Sequence, residues 1–145
     1  MAASSSFELG RFVDAQRAAY ATALAELRSG HKRSHWVWFV FPQLQGLGHS
    51  AMARRYALAG VEEARAYWAH PLLGLRLREC CQAVLESEQS VRSILGQPDD
   101  LKLRSCMTLF GIATNDGPFQ QVLDERFEGR ADPLTLQLLQ GSAAD

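Results

Sequence analysis

Five prolines punctuate the 145-residue chain, and four of them stand where a helix would begin. Proline has a fixed φ near the helical value and no amide hydrogen, so the first turn of a helix tolerates it without loss. Pro71 precedes an apolar stretch through Leu72, Leu75, Leu77, Cys80, Ala83, Val84 and Leu85. Pro98 precedes Leu101, Leu103, Met107, Leu109 and Phe110, and Pro118 precedes Phe119-Gln-Gln-Val-Leu. Asp132-Pro133 reads as an N-cap followed by proline at the first helical position. Upstream, apolar or small residues recur at Leu9, Phe12, Ala19, Tyr20, Ala23, Leu24 and Leu27, with Gln16 as a gap. That is the 3.6-residue period of a helix with one buried stripe, and Ser29-Gly30 terminates it.

These signals predict an all-α fold, a compact single-domain bundle of about six to eight helices over 1–145 with irregular, non-coiled-coil packing. Residues 1–6 and 141–145 are expected to fray. The ambiguous stretch is Ser34-His-Trp-Val-Trp-Phe-Val-Phe41, whose β-branched and aromatic residues suit a strand or a buried helix. No second strand exists to pair with it, so it is read as a short helix with Ser34 as its N-cap.

A core is affordable: 47% of the residues are apolar, with three Trp and seven Phe. A chain of ~150 residues buries roughly 70% of its unfolded surface. Global disorder is excluded. The net charge of -1 gives no general attraction to nucleic acid or an anionic membrane, so nucleic acid ranks last among partners. The N-terminus lacks the pattern of a secretory signal, and the run Trp36–Pro42 is far short of the ~20 residues of a membrane span. Cys80 and Cys81 are adjacent and the third cysteine leaves an odd number, which points to reduced thiols in a cytoplasmic protein.

Several constellations bear on chemistry. His31 and His35 lie four apart, but Gly30 and Ser34 separate them into different elements and no third ligand follows, so no metal site is expected. Gly46-x-Gly48-x-x-Ala51 is a loose dinucleotide fingerprint without the βαβ context it needs. A milder form survives, in which Ser50 caps a helix from Ala51 to Leu58 whose first amides could bind an anion. Arg28, His31, Lys32 and Arg33 form a basic cluster, with Arg54 and Arg55 further along; such a cluster can hold phosphate or nucleic acid, but is more often a solvated helix end. Asp99 and Asp100 suit a first helical turn, and Ser105 and Thr108 share a helix face. His70-Pro71 reads as a corner between helices, where a histidine is usually a hydrogen-bonded structural residue.

The segments Phe12-Val-Asp-Ala-Gln16, Ser34-His-Trp-Val-Trp-Phe-Val-Phe-Pro-Gln43, Gly46-Leu-Gly-His-Ser50, His70-Pro-Leu-Leu-Gly74 and Pro98-Asp-Asp-Leu-Lys102 before Ser105-Cys-Met-Thr-Leu-Phe110 carry a resemblance. From about Phe7 to Leu139 the chain resembles a small bacterial domain family of unknown function that has sometimes been labelled calpastatin. The resemblance implies a compact all-helical fold and no established activity, substrate or cofactor. Where that family has paired serines before the methionine, this chain has Ser105-Cys106. The calpastatin label fails physically, since such an inhibitor is a disordered, repetitive, polar chain and this one is aromatic, unrepetitive and core-forming.

The reading that follows is a small-molecule-binding domain or enzyme for a phosphorylated or nucleotide-like ligand, that is, a small anionic molecule. His35 is the candidate catalytic acid or base. Trp36, Trp38, Gln43, Ser50, His70, Asp100, Lys102 and Ser105 are the candidate ligand-binding residues, with no cofactor expected. The rival is a non-catalytic protein-interaction or regulatory module in which Trp36, Trp38 and Trp68 are core or interface anchors. Oligomeric state is not legible.

Overall fold

Gly30 ends the first helix as its sequence position predicts. In the computed structural model, which describes residues 7–144, α1 (Gly10–Ser29) stops where Gly30 turns left-handed at φ 81. The Gly30 amide donates to the Leu27 carbonyl (3.2 Å) and the His31 amide to the Glu26 carbonyl (3.1 Å), which satisfies carbonyls that the helix end would leave orphaned. Gln16, the gap in the apolar stripe, is itself buried on that stripe. Its amide donates to the Phe39 carbonyl (2.6 Å) and the Tyr67 hydroxyl (3.0 Å), and its carbonyl accepts from Arg76 (3.4 Å). A satisfied amide is what makes a polar residue tolerable at a core position.

The stretch after Gly30 is held by Glu26. Its carboxylate accepts from the amides of Arg33 (2.9 Å) and Ser34 (3.1 Å), the Ser34 hydroxyl (2.7 Å) and the Trp36 indole N–H (2.8 Å). Ser34 is therefore not the N-cap expected of it: Trp36 precedes the helix and Ser34 is turned to Glu26. The aromatic run resolves as a single helical turn, α2 (Val37–Val40), with Val37, Phe39 and Val40 buried. A strand would have had nothing to pair with. Among the described residues, extended pairing is confined to one isolated parallel bridge between Leu44 and Leu58. That bridge also shortens the next helix. α3 (Ala51–Arg55) ends before Leu58, whose amide donates to the Gln43 carbonyl (2.9 Å) and whose carbonyl accepts from Gln45 (2.8 Å).

The remaining elements are α4 (Val61–Ala69), α5 (Leu73–Glu86), α6 (Val91–Leu95), α7 (Asp99–Ala113), α8 (Phe119–Arg126) and α9 (Pro133–Ala144). Nine helices stand among the described residues, six of eight residues or more and three of a single turn. Each of the four predicted prolines lies within two residues of a helix start. At Pro71 the cap is supplied by His70, whose Nδ1 accepts from the amides of Leu72 (3.1 Å) and Leu73 (3.2 Å). Gly74 follows because a Cβ there would lie 2.1 Å from the Trp68 carbonyl, so only glycine lets α5 approach α4 this closely. α9 continues to Ala144, past the Gly141 expected to fray, and residues 1–6 and 145 lie outside the described residues.

α7 is the central helix. It packs against α2, α4, α6, α8 and α9, and its residues Ser105 to Phe110 are buried in unbroken succession. A helix buried on nearly all sides loses the amphipathic stripe of a surface helix. Leu103, Leu109 and Phe110 are fully enclosed, and each such side chain contributes roughly 1.5–3 kcal/mol over exposure. Two leucines counted with the core in sequence lie outside it, Leu75 at 56% and Leu101 at 49% exposure. Cys80, Cys81 and Cys106 are buried free thiols, and burial pushes Cys80 up to about 12.

Burial by itself would raise the Glu26 carboxyl, but the donors from Trp36, Arg33 and Ser34 prevail and hold it down to about 2, against an ordinary value of 4.5. A carboxyl depressed on folding stabilises fully above its unfolded value and loses that contribution as pH falls towards the folded value. Glu26→Gln should therefore cost about 2 kcal/mol at neutral pH, the worth of hydrogen bonds to a charged group. Urea titrations of both proteins should show the difference shrinking as pH falls from 4.5 towards 2.

Candidate functional site

The α1–α2 connection and the first turn of α7 meet around one carboxylate. Asp99 accepts from Lys32 Nζ on Oδ2 (2.9 Å) and from Lys102 Nζ on Oδ1 (3.2 Å). Each lysine lies over a tryptophan, Lys32 5.5 Å from the Trp36 ring centre and Lys102 5.2 Å from that of Trp38. The basic cluster read as solvent-facing is thus divided. Lys32 is 9% exposed at its side chain and its amide is bound to the Ile94 carbonyl, whereas Arg28, His31 and Arg33 are exposed. Asp99 sits in the first turn of α7, where the helix dipole favours a carboxylate.

Lys102 opens onto a groove of about 430 Å³. Its lining includes Trp38, Gln43, His49, Ser50, Lys102 and Ser105, drawn from α2, the loop after it and α7. The tertiary fold gathers five of the sequence candidates here, namely Trp38, Gln43, Ser50, Lys102 and Ser105. Trp38 is half-buried, with the His35 ring 6.4 Å from its own at an angle of 31°. The Gln43 backbone is fixed by the bridge to Leu58, so its carboxamide is carried on a rigid support. Ser50 accepts from the Ala53 amide (3.1 Å), and the Ser105 hydroxyl donates back to the Leu101 carbonyl (3.1 Å).

Asp132 also lines the groove, but it is committed to structure. It caps α9 by accepting from the amide (2.9 Å) and hydroxyl (2.7 Å) of Thr135, and pairs with Arg104 (3.3 Å). Burial alone would raise its carboxyl, yet the Thr135 donors and Arg104 bring it below the ordinary value. Asp132 is paired with Arg104, and within the cluster of Lys32, Lys102 and Asp99 it is Lys102 that reaches the groove.

Four other candidates lie elsewhere. Trp36 is 1% exposed in the core, its indole N–H spent on Glu26, because the single turn of α2 sends its neighbours to different sides. His70 is the cap between α4 and α5, beside a separate depression with Phe7, Leu9 and Ala66. Asp100 is absent from the groove lining, and its Oδ1 is enclosed without a protein partner. His35 is exposed beside Trp38 and does not line the groove. The imidazole that does is His49, which sequence reasoning quoted within Gly46-Leu-Gly-His-Ser50 without assigning it a role. Its signal was the pair of glycines that shape the loop. The anion site imagined at the start of α3 is reduced to a five-residue helix whose Ala53 amide Ser50 already occupies. Among the described residues no three His, Cys, Asp or Glu side chains gather as metal ligands, and no helix is long and apolar enough to cross a membrane.

The fold and groove define an all-helical domain with an open polar and aromatic cleft between its central helix and the α2–α3 connection. The chain belongs to the family described as "Protein of unknown function (DUF1810)", whose model matches residues 6–139. It is similar to the crystal structure of the conserved hypothetical protein Rv1873 from Mycobacterium tuberculosis, with 49% identity over 92% of this chain and 97% of that one, and a TM-score of 0.90. No curated protein matches it.

The two lysines test the cluster by their unequal burial. Asp99→Asn leaves the 9%-exposed Lys32 without its counter-charge and should cost roughly 3 kcal/mol, as for other broken buried pairs. Lys102→Met, at a 25%-exposed side chain, should cost less than about 1 kcal/mol. Denaturant midpoints of the two variants check the order.

Proposed function

We propose that the groove binds a small anionic molecule with an apolar, planar part, of the phosphorylated or nucleotide-like class. The observation that carries this reading is the meeting of Trp38, Gln43 and the Lys102 ammonium in one cleft. The half-buried indole is an apolar wall for a planar group, and binding pockets combine such walls with a few convergent polar groups. The Gln43 carboxamide offers one donor and one acceptor edge. Lys102 spends one bond on Asp99 and keeps further N–H donors for a phosphate or carboxylate. His49 is the imidazole on the lining, with a ring nitrogen to donate or accept a hydrogen bond, and His35 beside Trp38 is the alternative just outside it. Three buried free thiols suit a reducing compartment such as the cytoplasm.

A second reading has its own observation. Leu101 and Leu134, both lining the groove, are 49% and 47% exposed, an apolar rim that a protein segment could cover. In that case the domain is a binding module without chemistry.

A thermal-shift screen against nucleotides and sugar phosphates separates the two. A ligand at 100 times its dissociation constant adds about 2.7 kcal/mol, which for a domain of this size raises the midpoint by roughly 5–10 °C. Lys102→Ala should abolish the shift while the unliganded midpoint stays close to that of the parent, and Trp38→Ala should abolish it while lowering the unliganded midpoint, since its indole packs on the core. A flat screen, with Leu101→Asp and Leu134→Asp abolishing capture of a protein partner, would transfer the assignment to the second reading.

A further inference from the structure

A second depression, of about 330 Å³, lies on the other side of the Gly46–Ser50 loop. Gln43, Gly48, His49 and Ala53 line both depressions, so the two share a wall. That wall is a close contact: a Cβ built on Gly48 would stand 2.6 Å from the Ala53 Cβ. With only a hydrogen and a methyl group facing each other at this point, the loop packs directly on α3 and no larger side chain stands between them. The polar groups along the shared wall are the Gln43 carboxamide and the His49 imidazole, both of which reach each side.

The far depression is distinguished by Arg54. Its side chain is exposed, lines that depression and forms no ion pair with another described residue, whereas the neighbouring Arg55 lies over the Tyr56 ring. An uncommitted guanidinium facing a cleft is a ready partner for phosphate, which it can grip through two parallel N–H bonds. Size points the same way. Each depression alone is at the lower end of the ~300–1,000 Å³ of ligand pockets, and each is open, so neither could enclose most of a ligand's surface by itself.

We propose that the two depressions are one composite site for a ligand with two anionic centres, a nucleoside polyphosphate rather than a monophosphate. The head group and its first phosphate occupy the Trp38–Lys102 side. The phosphate chain passes over the Gly48–Ala53 contact, along Gln43 and His49, and its distal phosphate pairs with Arg54. This rests on the groove reading above and adds the length and direction of the ligand.

The test is calorimetric titration of the intact protein with each of the four common nucleoside mono-, di- and triphosphates, with chelator present to remove divalent cations. The triphosphate of the preferred base should bind at least about tenfold more tightly than its monophosphate, the scale of one added charge-assisted contact. Arg54→Glu should erase that gain and leave monophosphate affinity within about twofold, since the two depressions then act separately. Arg92→Glu, an exposed reversal that lines neither depression, should keep the gain. Equal affinity for mono- and triphosphate overturns the composite site and leaves the groove reading standing. A gain lost equally in Arg92→Glu also overturns it, because the preference would then be a general field effect. Absence of binding by every nucleotide overturns the composite site, and the groove reading is then decided by the sugar phosphates of the thermal-shift screen.

Discussion

The carboxylate of Glu26 is the point on which the groove's geometry depends. It lies in the last turn of α1, where the helix dipole disfavours negative charge. Four donors from the next ten residues compensate, and in doing so they fix the path of the chain after Gly30. The Trp36 indole is drawn into the core by its bond to Glu26, and α2 follows at once. One helical turn then carries Trp38 to the groove while Val37, Phe39 and Val40 remain inside. Without this clasp nothing local would make the aromatic run choose which of its two tryptophans to bury, since both have the same intrinsic preference.

α7 joins stability to the candidate site. Its middle is buried on nearly every side, and its first turn supplies Asp99 and Lys102. The lysine that faces the groove is therefore set by a helix held rigid along its length, which is the arrangement a binding group needs. The same carboxylate also neutralises Lys32, buried in the connection that Glu26 organises. The two acidic residues thus serve one joint from opposite sides, Glu26 through hydrogen bonds and Asp99 through charge. Asp132 and Arg104 complete the frame by fixing α9 at the groove wall.

Much of the helical order was legible in the sequence because its signals are local. Prolines at helix starts and Gly30 at a helix end act through one residue's own φ and hydrogen-bonding capacity. The misreadings involve residues whose role depends on a distant partner. Gln16 looked like a defect in a stripe until Phe39, Tyr67 and Arg76 were seen around its amide. Ser34 looked like a cap, since serine before an apolar run usually is one, but Glu26 outcompeted the helix amides for it. Lys32 was grouped with solvated basic residues because nothing nearby announces a carboxylate 67 positions later. α3 stopped short because a bridge to Gln43 and Gln45 took the backbone groups of Leu58.

By itself the sequence determined the helical class, most helix boundaries and the pool of polar and aromatic residues from which a site could be drawn. Those properties follow from propensity, periodicity and backbone chemistry, which operate over a few residues. Only the tertiary structure decided which of them share the groove. It joined Trp38, Gln43, Ser50, Lys102 and Ser105, added His49 and Asp132, and left Trp36, His70, Asp100 and His35 aside. The physical reason is that convergence is a property of packing: which side chains share a cleft depends on how α7 meets the α1–α3 connections, and no short-range rule encodes that meeting.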